Sequence, residues 1–535
     1  MIWWGAAALA VALLQGNDRV AERIRVRLET TAASFADSAV IGFYVRRSFR
    51  PAWSNEHGPN RLADELVEAI GRADLDGLDP ETYHIEQIRK ALVGVRGDAA
   101  TGRSTDPDRL ADLDLLLSDA FLLYGSHLLA GRVDPETLQP QWRANPRAAD
   151  LPTVLEDALA SRKIARGLQR LAPTQEGYRR LRDALARERA IAASGEWPTL
   201  PDGATLKRGD SSSVVATLRE RLRREGDLET GDSGQHPDVF DEAVEQAVKH
   251  FQIRHGLEAD GRVNAPTRAE LNVSADDRVE QLRLNLERWR WLPQDLGRRR
   301  ILVNIAAYEL QVVEDEEVVL SMRVVVGRRY KRTPIFSDTV RYIVLNPYWH
   351  VPRSIAVEDL LPKIQHDPSY LERFGMQLVD TVGRDPQAID PDSVDWSAVT
   401  ADNFHYRINQ EPGRLNALGR IKFVFPNRYD IYLHDTPSHD LFEQAQRDFS
   451  HGCIRVEKPL DLAAYLMKKG RHWNREAIEG ALDEGTERTI YLPRPIPIHL
   501  LYWTAWADED GTIQFRPDIN KADRPLALAL ESTKH

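Results

Sequence analysis

Near residue 300 the apolar residues of this chain change their period, and one repeating pattern cannot serve both halves. Before that point they recur every three or four positions. Arg61–Ile70 does so, as do 110–129 and 178–191, the pattern of helices with one buried face. After it come short runs, Ile301–Ile305, Glu309–Val313, Met322–Val326 and Tyr342–Leu345, which alternate or are continuously apolar. Those read as strands separated by turns. At 535 residues, with 42% hydrophobic and 29% charged positions, the chain has core enough for two to four domains.

The helical half divides again. From Val20 to Trp197 the pattern is helical, with Asp79-Pro80, Asp134-Pro135 and Asp150 placed to cap helix starts. Phe43-Tyr44 and Trp53 read as packing anchors. Leu206 to Leu271 is a compact second unit: one helix carries Val214, Val215, Leu218 and Leu222, another Val244, Val248 and Phe251. Val279 to Trp291 is an amphipathic helix leading into the strands. Pro352 to about Arg420 interrupts the strands, with a helical start over Ala356–Leu371, and an insertion that long calls for a function. Tyr348, Trp349 and His350 precede it, and read either as lining of a substrate cleft or as aromatic packing.

The only cysteine, Cys453, lies in Ser450-His451-Gly452-Cys453-Ile454-Arg455 and has no partner for an intramolecular disulfide. A lone thiol is most simply a small buried hydrophobe. Its surroundings favour a nucleophile. Gly452 permits backbone geometry closed to other residues, so turn N–H groups can face a developing negative charge. Upstream, Ile431–Asp435 is a short apolar strand ending in His434. An imidazole there can take the thiol proton and later return it to a leaving amine. His451, two positions before the cysteine, is better placed to shape the pocket. The same His434, His451 and Cys453 are also zinc-ligand types, though no second cysteine or spaced histidine pair completes a familiar template.

The run from His434 through Ser450-His451-Gly452-Cys453 resembles the signature of the YkuD-type L,D-transpeptidases. Arg455 stands where that pattern often has Asn. The likeness extends from Phe43-Tyr44 through Tyr502–Trp506, as in the large multidomain periplasmic subgroup. Gly256–Gly261 with Thr267 and Leu271 is similar to a three-helix peptidoglycan-binding module, with Asn264 where Gly is usual and expected to hold a left-handed turn. The implied fold class is multidomain α+β: a helical scaffold, the three-helix module, and a mainly antiparallel β catalytic domain with an α-containing capping insertion. The expected boundaries are 1–16 for a signal peptide or membrane anchor, 17–200 for the scaffold, 201–275 for the module, 276–500 for the catalytic domain (insertion 352–420), and 501–535 for a C-terminal tail. The resemblance implies Cys453 as nucleophile and His434 as base, with Gly452, Ser450, His451 and Arg455 forming the oxyanion site and pocket. It implies peptidoglycan stem peptides as partners, no cofactor and no metal, and a thiol that carbapenems acylate. Crosslinking of third-position residues, hydrolysis and D-amino acid exchange all follow from one acyl-enzyme. A non-catalytic wall-binding scaffold is the rival from another class.

A net charge of −11 without an extended basic tract gives no support for nucleic-acid binding. The short runs Arg298–Arg300 and Arg328–Arg332 read as solvated loops or as local contacts to an anionic polymer. Ile2–Leu14 is apolar but shorter than a comfortable membrane span. It fits a signal core with Ala8-Leu9-Ala10 as cleavage site, an anchor, or a core helix. A single cysteine agrees with export to an oxidising compartment, here the periplasm.

Overall fold

A computed structural model describes residues 18–30, 38–55, 57–100, 106–139, 142–143, 147–195, 197–229, 236–380, 387–468, 470 and 472–532. The expected signal or anchor segment lies outside these residues.

The N-terminal helices pack around Pro107–Ala130, whose 24 residues are long and apolar enough to cross a membrane but are mostly buried inside the protein. Asp106 caps its start by accepting from the Asp108 N–H, with Pro107 preset for the first turn. Halfway along, the fully buried carboxylate of Asp114 gathers a neighbouring loop. It accepts from Ala52 N (2.7 Å), Trp53 N (2.9 Å), Ser54 Oγ (2.9 Å) and Tyr44 Oη (2.8 Å). Asp79 and Asp134 cap as expected, whereas Asp150 makes no cap bond and pairs with Arg46 instead.

The second unit packs Ser213–Glu225, Glu242–Arg254 and Ala265–Leu271 around Val215, Leu218, Phe240 and Phe251. Asn264 does not adopt the expected left-handed turn. Its φ is −78°, and its side chain caps the third helix by accepting from Thr267 N at 3.0 Å.

The strands beyond residue 298 are β1 (Arg299–Asn304), β2 (Glu309–Glu314), β3 (Glu317–Gly327), β4 (Phe336–Leu345), β5 (Trp349–His350), β6 (Met376–Asp380), β7 (Ala388–Ile389), β8 (Tyr406–Gln410), β9 (Ile421–Val424), β10 (Leu433–His434), β11 (Asp448–Ser450), β12 (Ile454–Val456), β13 (Arg488–Leu501), β14 (Ala505–Ala507) and β15 (Ile513–Phe515). The main sheet runs β11-β3-β12-β10-β9-β4-β13-β1-β2, and β2 pairs back onto β3, so it closes on itself. The pairs β10–β12, β13–β1 and β11–β3 are parallel and the other neighbours antiparallel. Alternate residues point inward: Val303, Leu310, Val324, Ile343, Leu433 and Ile454 share one core. Leu302, Gln311, Arg455 and His434 therefore lie on the outward face.

The insertion holds more than the expected helix. That helix is broken at Asp367, and the segment adds a small sheet, β5-β8-β6-β7, with its own core of Leu360, Ile364, Leu378, Trp396, Phe404 and Ile408. Residues 501–535, read above as a tail, are instead folded through 532. Tyr502, Trp503, Phe515 and Leu526 are buried, and β14–β15 pack on helices Glu176–Ala192 and Ala275–Arg290. The ring partners of Trp503 and Phe515, Trp289 and His255, lie more than two hundred positions upstream, so nothing local announced their burial.

Candidate active site

Cys453 sits in the tight connection from β11 to β12. Gly452 holds φ at +118°, which a side chain would strain, and this lets the chain reverse. The turn is tied at both ends. Ser450 Oγ donates to the Cys453 carbonyl (2.5 Å) and accepts from Gly452 N (3.1 Å). Thr333 Oγ1 donates to the Gly452 carbonyl (2.7 Å) and accepts from Gly327 N (2.9 Å). Gly327 is required by space, since a Cβ there would stand 2.2 Å from the Lys331 carbonyl oxygen. Among the described residues the Cys453 N–H donates to no partner.

The parallel register sets Leu433 opposite Ile454 and His434 opposite Arg455, and Ile454 N donates to Tyr432 O at 3.1 Å. Cys453 thus lies across from Tyr432. By alternation Cys453, Tyr432, His434 and Arg455 share the outward face, joined by Lys422, whose ammonium sits 3.8 Å from the Tyr432 ring. Tyr432 also packs against the core of the insertion, which therefore roofs this face. The half-buried thiol donates to the Asp430 carbonyl oxygen (3.7 Å) and is faced by the backbone N–H and the hydroxyl of Tyr432. His434 is buried, and its Nδ1 donates to the Asp435 carbonyl at 2.5 Å, which leaves Nε2 as the acceptor. The expected direct imidazole–thiol hydrogen bond is not formed in this state. Asp435 fixes the strand end in turn, its carboxylate accepting from Arg420 N (2.8 Å) and Thr436 N (2.7 Å).

The electrostatics follow from burial. It pushes the Cys453 thiol above its ordinary value, opposed by the Tyr432 hydrogen bonds and the Lys422 charge. It also drives His434 down to about 3, helped by the Arg455 charge and opposed by the carbonyls of Asp435 and Leu418. Arg455 and Lys422 are themselves lowered by burial. The resting pair is accordingly a neutral thiol and a neutral imidazole. Arg455 makes no ion pair among the described residues, and its Nε is buried without a hydrogen-bond partner.

The remaining expected residues divide. His451 points away from the thiol, with Nε2 2.6 Å from Asp359 of the insertion and the Arg328 guanidinium against it. Lys331 to Glu358 (3.0 Å) is a second tie between turn and roof. The short basic runs are thus spent on internal pairs, Arg298 with Asp315 and Arg300 with Glu316 included. Tyr348 is exposed, and Trp349 is buried in the core of the insertion rather than lining a cleft. Its packing partners arrive only after residue 355. Lys422 and Tyr432 were missed, although the alternation Tyr432–His434 already put the tyrosine on the histidine's face. Among the described residues no group of three or more His, Cys, Asp or Glu side chains is arranged to hold a metal ion.

Three family comparisons match in tandem: a scaffold domain over residues 38–185, a "Putative peptidoglycan binding domain" over 211–271, and the L,D-transpeptidase catalytic domain, YkuD, over 298–487. A Haemophilus influenzae protein named "Putative L,D-transpeptidase" is 36% identical over 264 residues, 49% of this chain and 51% of that one. The chain thus spans about half the length of that relative. Among solved structures, an L,D-transpeptidase from Xylanimonas cellulosilytica is 17% identical, with 56% of this chain and 98% of that one covered and a TM-score of 0.17. One from Stackebrandtia nassauensis is 12% identical, with 57% and 96% covered and a TM-score of 0.21. Fold and matches together define the class, a multidomain α+β protein with scaffold, peptidoglycan-binding and transpeptidase-type domains. Residues 298–487 are thus a catalytic domain of the YkuD L,D-transpeptidase kind.

Proposed function

We propose that this protein is a periplasmic peptidoglycan L,D-transpeptidase with Cys453 as nucleophile. The observation that carries the reading is the Cys453 turn, braced by Ser450, Thr333 and Gly452 and placed on one roofed face with Tyr432, Lys422, His434 and Arg455. The thiol attacks the carbonyl of the third-position diamino acid in a tetrapeptide stem, and its proton passes to His434 Nε2 once substrate draws the two together. The Cys453 N–H, unengaged in the resting state, holds the oxyanion, with Gly452 beside it. The amide bond breaks, His434 returns the proton to the departing D-alanine amine, and a thioester remains. The amine of a neighbouring stem attacks that thioester, loses its proton to His434, and regenerates the thiol. The insertion, fastened to the turn through Asp359–His451 and Glu358–Lys331, limits water at the thioester. Arg455 lies on the same face with no anionic partner of its own and receives a stem carboxylate. The domain at 211–271 supports contact with the wall polymer.

Mass spectrometry of products from disaccharide-tetrapeptide, with Cys453→Ala beside the intact protein, tests this. Dimers joined through third-position residues, absent from the variant, are expected. Tripeptide without dimer would assign hydrolysis instead. No product from either protein would leave a wall-binding scaffold.

A further inference from the structure

A cavity of about 580 Å³ opens where helix Glu176–Ala192, helix Ala275–Arg290, the outward face of β1–β3 and the segment from Trp503 to Asp510 meet. That volume lies within the range of small-ligand sites. A narrower hollow of about 50 Å³ adjoins it and shares Glu309, Gln311, Trp503 and Trp506. One wall is built of indoles. Trp289 stacks on Trp503 with ring centroids 4.4 Å apart and 23° between planes, and Trp506 stands beside them with the Arg516 guanidinium 4.6 Å from its ring. The opposite wall is polar. Gln311 and Ser321 are cross-strand partners, and the Glu309 carboxylate accepts from Ser321 Oγ (2.7 Å) and Gln311 Nε2 (3.2 Å). Trp289 is 5% exposed, yet its buried Nε1–H has no hydrogen-bond partner. That N–H is enclosed behind the wall, so the indole the cavity itself meets is the half-buried Trp506.

Indole faces opposite amide and carboxylate groups suit a pyranose, whose C–H face stacks on an aromatic ring while its hydroxyls bond to side-chain oxygens and amides. An amide beside an indole suits an acetamido group, carbonyl to the second Gln311 Nε2–H and methyl to the Trp506 ring. We infer that this cavity is a glycan subsite that takes an N-acetylated disaccharide. The inference rests on the peptidoglycan reading above, and β3 connects the two. Ser321 lines the cavity, and Gly327 pairs with Ser450 next to the nucleophile turn. Six residues of strand separate them, about 20 Å. The three stem residues up to the attacked carbonyl cover ~10 Å of that path when extended, and the disaccharide that bears them covers the rest. The subsite thereby sets which stem on a strand meets Cys453.

The test titrates full-length Cys453→Ala protein with the β-1,4-linked disaccharide of N-acetylglucosamine, read by intrinsic tryptophan fluorescence and by calorimetry. Saturable binding is expected, weakened about tenfold by Trp506→Ala and comparably by Gln311→Ala. Both side chains are half-buried, and circular dichroism checks their folds. The glucose disaccharide, lacking the acetamido group, is expected to bind about tenfold more weakly. Absence of saturable binding, or binding that neither variant alters, would overturn the inference; the second result would move the sugar to the domain at 211–271. Turnover of a sugar-free tetrapeptide by the wild-type protein is measured in parallel. Turnover without sugar binding would sink the subsite alone, and sugar binding without turnover would sink the activity alone.

Discussion

The thiol's polar surroundings include a tyrosine, and that fixes how its reactivity responds to mutation. The Tyr432 backbone N–H, the Tyr432 hydroxyl and the Lys422 charge favour the thiolate against burial, while the neutral His434 ring bonds elsewhere. Tyr432→Phe keeps the backbone N–H but removes the hydroxyl's hydrogen bond to a charged group, worth ~1.5–3 kcal/mol, which raises the thiol further. The thiolate fraction near pH 7 then falls ~10–100-fold, and the greater nucleophilicity of the more basic sulfur returns about half of that on a logarithmic scale. Alkylation of Cys453 by iodoacetamide is therefore expected to slow ~3–10-fold in Tyr432→Phe. His434→Ala is expected to leave alkylation near the wild-type rate while lowering transpeptidation by a factor of ~10²–10⁴. In the wild type the alkylation rate should climb about tenfold per pH unit from pH ~6 to ~8. A rate already flat across that range and abolished by His434→Ala would show a resting thiolate–imidazolium pair and refute the reasoning.

Replacing Gly327 by Ala drives a methyl into the Lys331 carbonyl and the Thr333 N–H, displacing the Thr333 bond that steadies Gly452. Product formation is expected to drop about 100-fold with circular dichroism unchanged. Asp114→Ala strands the four donors gathered by that carboxylate, each costing ~1–3 kcal/mol, so urea unfolding of the helical domain should shift by about 4 kcal/mol or more. His434 sits near 3 when folded against ~6.5 unfolded. Its folded value is depressed, so its contribution is complete above ~6.5 and is lost as pH falls toward ~3, a change of order 5 kcal/mol. Urea midpoints at neutral and acid pH should show that slope in the wild type and lose it in His434→Gln.

What could be read from the chain depended on how far apart the interacting residues lie. The His434–Cys453 stretch is nearly contiguous, and strand alternation alone placed its outward face. The helical domain showed itself through caps and periodicity, because both are local. Lys422 joins the site only through the β9–β10 register, which a sequence does not state. Trp349 stayed open between cleft lining and packing because its core is assembled from 356–418. The thiol–imidazole contact was expected from residue type, but the Asp435 carbonyl holds the ring first.

The stretch 502–530 carries a consequence for how the molecule is made. Arg516 donates to the Arg254 carbonyl at 2.9 Å, Phe515 stacks on His255, Gln281 donates to the Thr504 carbonyl at 2.9 Å, and Arg288 pairs with Asp523. Together with the packing of β14–β15 on helix Glu176–Ala192, these clasps reach the helical half, the domain at 211–271 and helix Ala275–Arg290, and they leave the ribosome after all three. Each unit can collapse on its own as it emerges, but their mutual orientation is sealed only once residues 502–530 have been made. A ribosome that stalls short of Tyr502 would release folded parts in unfixed relation, and proteases would find the hinges between them.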